Sequence, residues 1–113
     1  MDKLTIYKSV VQGIMDTIVE DFQSATQPFH MQMIKDDVHG QYLLFQNDWH
    51  NERRLYGPIL HMEVASSGKV WIHYDGTDLV VAEQLLEAGI PKEDIVLGFR
   101  SPVVRPDTGF AVA

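Results

Sequence analysis

Residues Lys69 to Phe99, KVWIHYDGTDLVVAEQLLEAGIPKEDIVLGF, decide how this chain folds. Val70, Ile72 and Tyr74 alternate with Trp71 and His73, the two-residue period of a strand with one buried face. Asp75-Gly76-Thr77-Asp78 is turn chemistry, and Thr77 or Asp78 is placed to cap the following helix by accepting backbone N–H bonds at its positive end. Val81, Ala82, Leu85 and Leu86 supply that helix with an apolar face. Gly89 stands where a left-handed residue closes a helix, with Ile90 to pack back on the last turn and Pro91 to bar continuation. Pro91-Lys92-Glu93-Asp94 then opens a short helical turn, since proline suits a first helical position. Ile95, Val96, Leu97 and Phe99 follow as a return to the core.

Working outward toward the N-terminus, the turn Ser66-Ser67-Gly68 joins this strand to another over Leu55 to Val64, and so short a turn implies antiparallel pairing. Leu60, Met62 and Val64 share one face there, while Pro58 removes a ladder donor and points to an edge position or a bulge near Gly57. Before it, NDWHNERR (Asn47 to Arg54) is the most polar segment and reads as a loop. A hairpin precedes that loop. Phe29, Met31 and Met33 alternate with His30 and Gln32, Asp36 to Gly40 makes the turn, and QYLLFQ (Gln41 to Gln46) returns.

The N-terminal segment from Leu4 to Phe22 repeats its apolar residues at three and four: Leu4, Tyr7, Val11, Ile14, Ile18, Phe22, widened by Val10, Met15 and Val19. That is a helix with one buried face. Lys8, Gln12, Asp16 and Glu20 fall on its water side. Gly13 either weakens it or admits a close backbone, and Ser24, Thr26 and Pro28 end it. At the other end, Arg100 to Ala113 reads as an extended, proline-punctuated tail. Its apolar Phe110 and Val112 gain little in water, so the tail either docks on its own domain or inserts into a partner.

The expected fold is α+β, one domain over residues 1–113: a four-stranded, mainly antiparallel sheet with the N-terminal helix and the helix after strand four covering one face. If the helices cover the side of Val70, Ile72 and Tyr74, then Trp71, His73 and Asp75 lie on the open side. A tryptophan on an uncovered face implies a second layer, from the tail or from another subunit.

Composition limits the function. With apolar residues at 45% and spread from end to end, the chain is not disordered. It has no cysteine, which removes disulfides and thiolate metal sites and favours an intracellular setting. No apolar run reaches the length of a signal core or membrane span, so a cytosolic protein is expected, with no membrane partner. Nine Lys and Arg against sixteen Asp and Glu leave a net charge of −7, a poor balance for gripping phosphates.

No catalytic motif emerges, and no cofactor is expected. His73 and Asp75 are two apart on one strand and His61 lies on its neighbour, a candidate two-histidine-one-carboxylate metal site. The exposed side of an antiparallel sheet produces the same alternation without any metal. Asp75-Gly76-Thr77-Asp78 lacks the later ligands of a calcium loop, and no serine sits in a nucleophile motif. Trp49 and Trp71 are candidate interface anchors, because aromatic residues often dominate binding energy. Arg53, Arg54 and Arg105 are the candidates for polar contacts at an interface rim, or for direct DNA contact.

The runs RRLYGPILHMEV and GKVWIHYDGT, the helix ending EAGIPKEDIVLGF, and the tail SPVVRPDTGFAVA together resemble the XisI-like family, described as fdxN element excision controlling factors and found mainly in cyanobacteria. The likeness runs the length of the chain and is most specific from Arg53 onward. It implies an accessory, non-catalytic role in programmed DNA rearrangement, with an XisH-like, nuclease-related protein or the recombination machinery as partner. On that reading Arg53, Arg54, Trp71, His73, Asp75, Arg105, Phe110 and Val112 are the expected partner-binding residues, and a homodimer is a further expectation.

Overall fold

In the computed structural model, which describes residues 2–23 and 30–113, two α-helices pack on one side of a five-stranded mixed sheet. The elements run α1 (Lys3–Gln23), β1 (Met31–Asp36), β2 (Gln41–His50), β3 (Arg53–Val64), β4 (Val70–Asp75), α2 (Val81–Glu87) and β5 (Ile95–Leu97), with 3-10 turns at Lys92–Asp94 and Arg105–Asp107. The strands lie in chain order. The first four are antiparallel neighbours, and β5 pairs parallel with β4. A parallel neighbour needs a crossover, which α2 supplies. The α+β class expected from sequence is therefore found, with a fifth strand where the sequence suggested only an apolar return.

α1 buries Tyr7, Val11, Met15 and Ile18, flanked by half-buried Leu4, Val10, Ile14, Val19 and Phe22. Met15, which looked peripheral in the repeat, is at the centre of the face and Ile14 is at its margin. A Cβ on Gly13 would meet nothing within 4 Å, so this glycine only weakens the helix. Lys8 and Gln12 do more than face water: Lys8 Nζ donates to the Asp37 carbonyl at 2.7 Å and Gln12 Nε2 to Asp37 Oδ1 at 3.1 Å, tying α1 to the β1–β2 turn. The expected helix stop at Ser24, Thr26 and Pro28, and the place of Phe29 in the first strand, lie outside the described residues.

Tyr42, Leu44, Leu60, Met62, Val70 and Ile72 face α1 and α2 from the sheet and are fully buried, each contributing roughly 1.5–3 kcal/mol of hydrophobic stabilisation. A polar tie joins α1 to the turn before β5. Tyr7 Oη donates to Asp94 Oδ2 at 2.5 Å, and Lys3 Nζ reaches the same oxygen at 2.9 Å. Burial by itself raises the Asp94 carboxyl, but hydrogen bonds from Tyr7 and Lys3 outweigh it and leave the pKa below the ordinary value. Burial, followed by the bond to Asp94, pushes the Tyr7 phenol up to about 12.

Two glycines are required by geometry. Gly89 (φ 98°) ends α2 as the sequence implied: Ile90 N–H donates to the Leu85 carbonyl and Gly89 N–H to that of Leu86, with Ile90 buried against the last turn. Gly40 (φ 67°) brings the β1–β2 turn against β3, where a Cβ would stand 2.3 Å from the Val64 carbonyl oxygen.

Several expectations are corrected. NDWHNERR is no loop. β2 continues to His50 and β3 begins at Arg53, joined through Asn51 in the left-handed region (φ 49°). Pro58, by contrast, sits beside a bulge as the sequence implied, for Phe45 pairs with Pro58 and Leu44 with Leu60, leaving Ile59 extra; at Pro58, β3 has passed the end of β4. A second bulge breaks the alternation of β4: Met62 pairs with Ile72 but His61 with Tyr74, leaving His73 extra. Tyr74 is thereby turned out to solvent, and Asp75 comes opposite buried Leu60 on the helix side. There Asp75, rather than Thr77 or Asp78, holds the start of α2, accepting from Val81 N–H at 3.1 Å and from Thr77 N–H at 2.9 Å. Pro91 is extended and precedes the 3-10 turn instead of opening it. Phe99 is exposed.

The tail is not extended. It turns through Arg105–Asp107 and returns so that Ala111 bridges Val96 in parallel and donates to the Ile95 carbonyl at 2.9 Å, covering the outer edge of β5. Of the two alternatives left by the sequence, the tail docks on its own domain.

Candidate functional site

The side of the sheet away from the helices divides into two halves. Over β4 and β5 the tail forms a second layer: Val96 points away from the helices yet is fully buried, and the Arg105 guanidinium lies 5.1 Å from the centre of the Trp71 indole. Arg105 is held by its own chain, donating from Nε to the Arg100 carbonyl at 3.0 Å and from Nη1 to that of Val112 at 3.4 Å. Phe110 packs on the core with Lys92 Nζ 5.5 Å from its ring centre, whereas the Val112 side chain remains exposed. Trp71, Arg105 and Phe110 thus meet partners within the chain.

Over β1, β2 and β3 no such layer exists among the described residues. Ile34 (49% exposed), Leu43, Phe45, Trp49 (63%) and Tyr56 (65%) lie on this half, as the pairings Ile34–Leu43, Leu43–His61 and Trp49–Arg54 require. The outer ends of β2 and β3 form a two-stranded ribbon beyond the ends of β1 and β4. An isolated ribbon is marginal in water, so its side chains must hold it. Arg54 does so from between two rings, 5.2 Å from Trp49 and 4.9 Å from Tyr56, with Nη2 donating to Asn47 Oδ1 at 2.7 Å. Phe45 meets Tyr56 edge to face at 4.9 Å. Arg53, one residue before Arg54, points to the opposite side, so Arg53, Arg54 and Arg105 do not form one basic patch.

His61, His73 and Glu63 stand between the two halves. His73 Nε2 is 2.7 Å from Glu63 Oε1, His61 Nε2 is 2.7 Å from Gln41 Oε1, and the two imidazole centres are 4.7 Å apart. Burial, and then the neighbouring His73, lowers the His61 pKa. The proposed metal triad of His61, His73 and Asp75 is not assembled, because the bulge at His73 sends Asp75 to the other side of the sheet. Among the described residues no group of three His, Asp or Glu is placed to hold a metal ion, and no helix is long and apolar enough to cross a membrane.

Tyr56, Ile34, Leu43 and Phe45 were not singled out from sequence. A signal did exist: Leu43, Phe45, Asn47 and Trp49 are each two apart, so one strand phase runs straight through the polar segment.

Comparison with known proteins agrees with this architecture. The crystal structure of the fdxN element excision controlling factor XisI from Anabaena variabilis is similar at 36% identity and a TM-score of 0.85, covering 99% of this chain and 100% of that one. A XisI-like protein from the same organism is similar at 31% identity and a TM-score of 0.87, covering 97% and 99%. No curated protein matches. The family model for XisI protein spans residues 1–112. On these grounds, and with the fold matched end to end, the chain belongs to the XisI family.

Proposed function

We propose that this protein is an accessory factor controlling excision of a DNA element, acting in the cytosol without chemistry of its own, through protein contacts on the open half of its sheet. An XisH-like, nuclease-related protein or the recombination machinery is the class of partner. The observation that carries the reading is the exposure of Trp49 and Tyr56 around Arg54, with Ile34 exposed further along the same face, on a side of the sheet that the buried core does not use. Tryptophan, tyrosine and arginine are the residues in which interface energy concentrates. The name of the Anabaena variabilis relative supports the controlling role, and the net charge of −7 favours a protein partner over a duplex. The reading of His61, His73 and Asp75 as a metal-dependent or nucleic-acid-acting centre draws no support from their positions.

Co-expression with an XisH-like protein, followed by size-exclusion chromatography, tests this. The wild-type chain should co-elute with it, and Trp49→Ala with Tyr56→Ala should abolish the complex while the variant still melts cooperatively, at a temperature lowered by the loss of the ring contacts to Arg54. A wild-type chain that elutes alone, or a complex indifferent to both substitutions, would remove the reading.

A further inference from the structure

The open half of the sheet has a charge order that its apolar residues alone do not suggest. Its ribbon end carries Arg54, which has no carboxylate within ion-pair distance among the described residues. Its other end carries Asp36, paired with His39, and Glu63, which shares one oxygen with His73. The nine-residue step from Arg54 to Glu63 along β3 spans about 30 Å. One face of a strongly acidic chain is thus positive at one end, negative at the other and apolar between, at Leu43 and Phe45.

Such a face is complementary to itself. A two-fold axis lying in the contact plane and perpendicular to the strands reverses strand direction while turning one sheet onto the other. It lays β3 over β3 and so places Arg54 of each copy against Glu63 of the other, with Asp36 two strands, about 10 Å, to the side and Phe45 near the axis. Aligned packing of sheet on sheet accepts this arrangement. The alternative axis, along the strands, sets like charges against each other.

The area suffices. The six residues of β1, the ten of β2 and the stretch of β3 paired with it, at about 3.4 Å each and about 4.8 Å between strands, project roughly 440 Å². Side-chain relief from Trp49 and Tyr56 raises the accessible area toward the roughly 600 Å² per partner at which specific interfaces begin. The few charges on this face also limit the repulsion between two copies bearing −7 each.

We propose that in the isolated protein the open β1–β3 face is closed by a second copy of this chain, in a two-fold dimer joined at its ends by Arg54 and Glu63. This rests on the reading of that face as a protein-contact surface and names its occupant when no other partner is present.

The test is sedimentation equilibrium on the whole chain and two charge-reversal variants. Wild-type protein sediments as a dimer at micromolar concentration. Arg54→Glu and Glu63→Arg, each prepared alone, lose at least about tenfold in self-affinity, as expected for one close charge pair broken at each end. An equimolar mixture of the two variants recovers the dimer, since each end again joins unlike charges. That recovery also shows that both variants are folded. A wild-type chain that stays monomeric, reversals that leave the dimer intact, or a mixture that fails to recover it while both variants melt cooperatively would each overturn the proposal. A monomeric chain that still captures an XisH-like protein would overturn the dimer and leave the functional reading standing.

Discussion

Replacing Asp94 by asparagine isolates the tie between Tyr7 and Asp94 in the core. The substitution keeps the shape of the side chain and removes its charge, so Tyr7 retains an oxygen to donate to while Lys3 loses its ion partner. A hydrogen bond to a buried charged acceptor contributes about 1.5–3 kcal/mol and a neutral one about 1 kcal/mol. The Lys3 contact adds little beyond this, because the lysine side chain is half exposed. The expected loss is about 1–2 kcal/mol, which in a chain of 113 residues lowers the melting temperature by roughly 4–10 °C. The pH dependence carries the sharper signature. The folded pKa of Asp94 is depressed, so its contribution is fully present above the ordinary carboxylate value and is lost as pH falls through the lower folded value. Urea titrations from pH 7 down to pH 3 should therefore show the wild type converging on Asp94→Asn at the acid end. A Tyr7→Phe/Asp94→Asn double-mutant cycle should give a coupling of about 1 kcal/mol. If Asp94→Asn costs less than about 0.5 kcal/mol at pH 7 and its acid limb parallels that of the wild type, the assignment of a stabilising ionised carboxylate is refuted.

Further outcomes follow from single sites. Asp75→Ala removes the acceptor of the Val81 and Thr77 N–H groups and should destabilise by about 1–2 kcal/mol, read in urea melts, whereas Asp78→Ala should cost little. Gly13→Ala enters open space in a helix interior and should stabilise by about 0.5–1 kcal/mol, while Gly40→Ala drives a Cβ into the Val64 carbonyl at a left-handed position and should prevent stable folding, as circular dichroism would show. At high pH the Tyr7 phenol, raised to about 12, contributes stability that is complete below the ordinary tyrosine value and lost as pH rises through the folded one; Tyr7→Phe should remove that alkaline loss from the unfolding curve.

The parts legible in the sequence are those decided within a few residues. The Gly89-Ile90-Pro91 stop, the Asp36–Gly40 turn and the three-four spacing of α1 each depend on local backbone geometry and one buried face, and the structure keeps them nearly residue for residue. The polar segment NDWHNERR misleads because composition suggested loop, whereas a ribbon solvated on both sides has no core face to bury and is held by Arg54 between two rings. The Leu43-Phe45-Asn47-Trp49 phase was the better guide, since strand alternation persists where hydrophobicity does not.

By itself, then, the sequence determined the two helices, the β1–β2 and β3–β4 hairpins, most of the buried residues and, through residue identities along the whole chain, the family. Tertiary structure alone decided which functional residues meet. One bulge at His73 changes the strand period by a single residue, and that step carries Asp75 from a supposed metal site to the start of α2. The parallel pairing of three-residue β5 with β4, and the tail that closes over Trp71 and Val96, join segments distant in the chain through contacts that no local propensity encodes. Covering that half of the sheet is what confines the open surface to β1, β2 and β3.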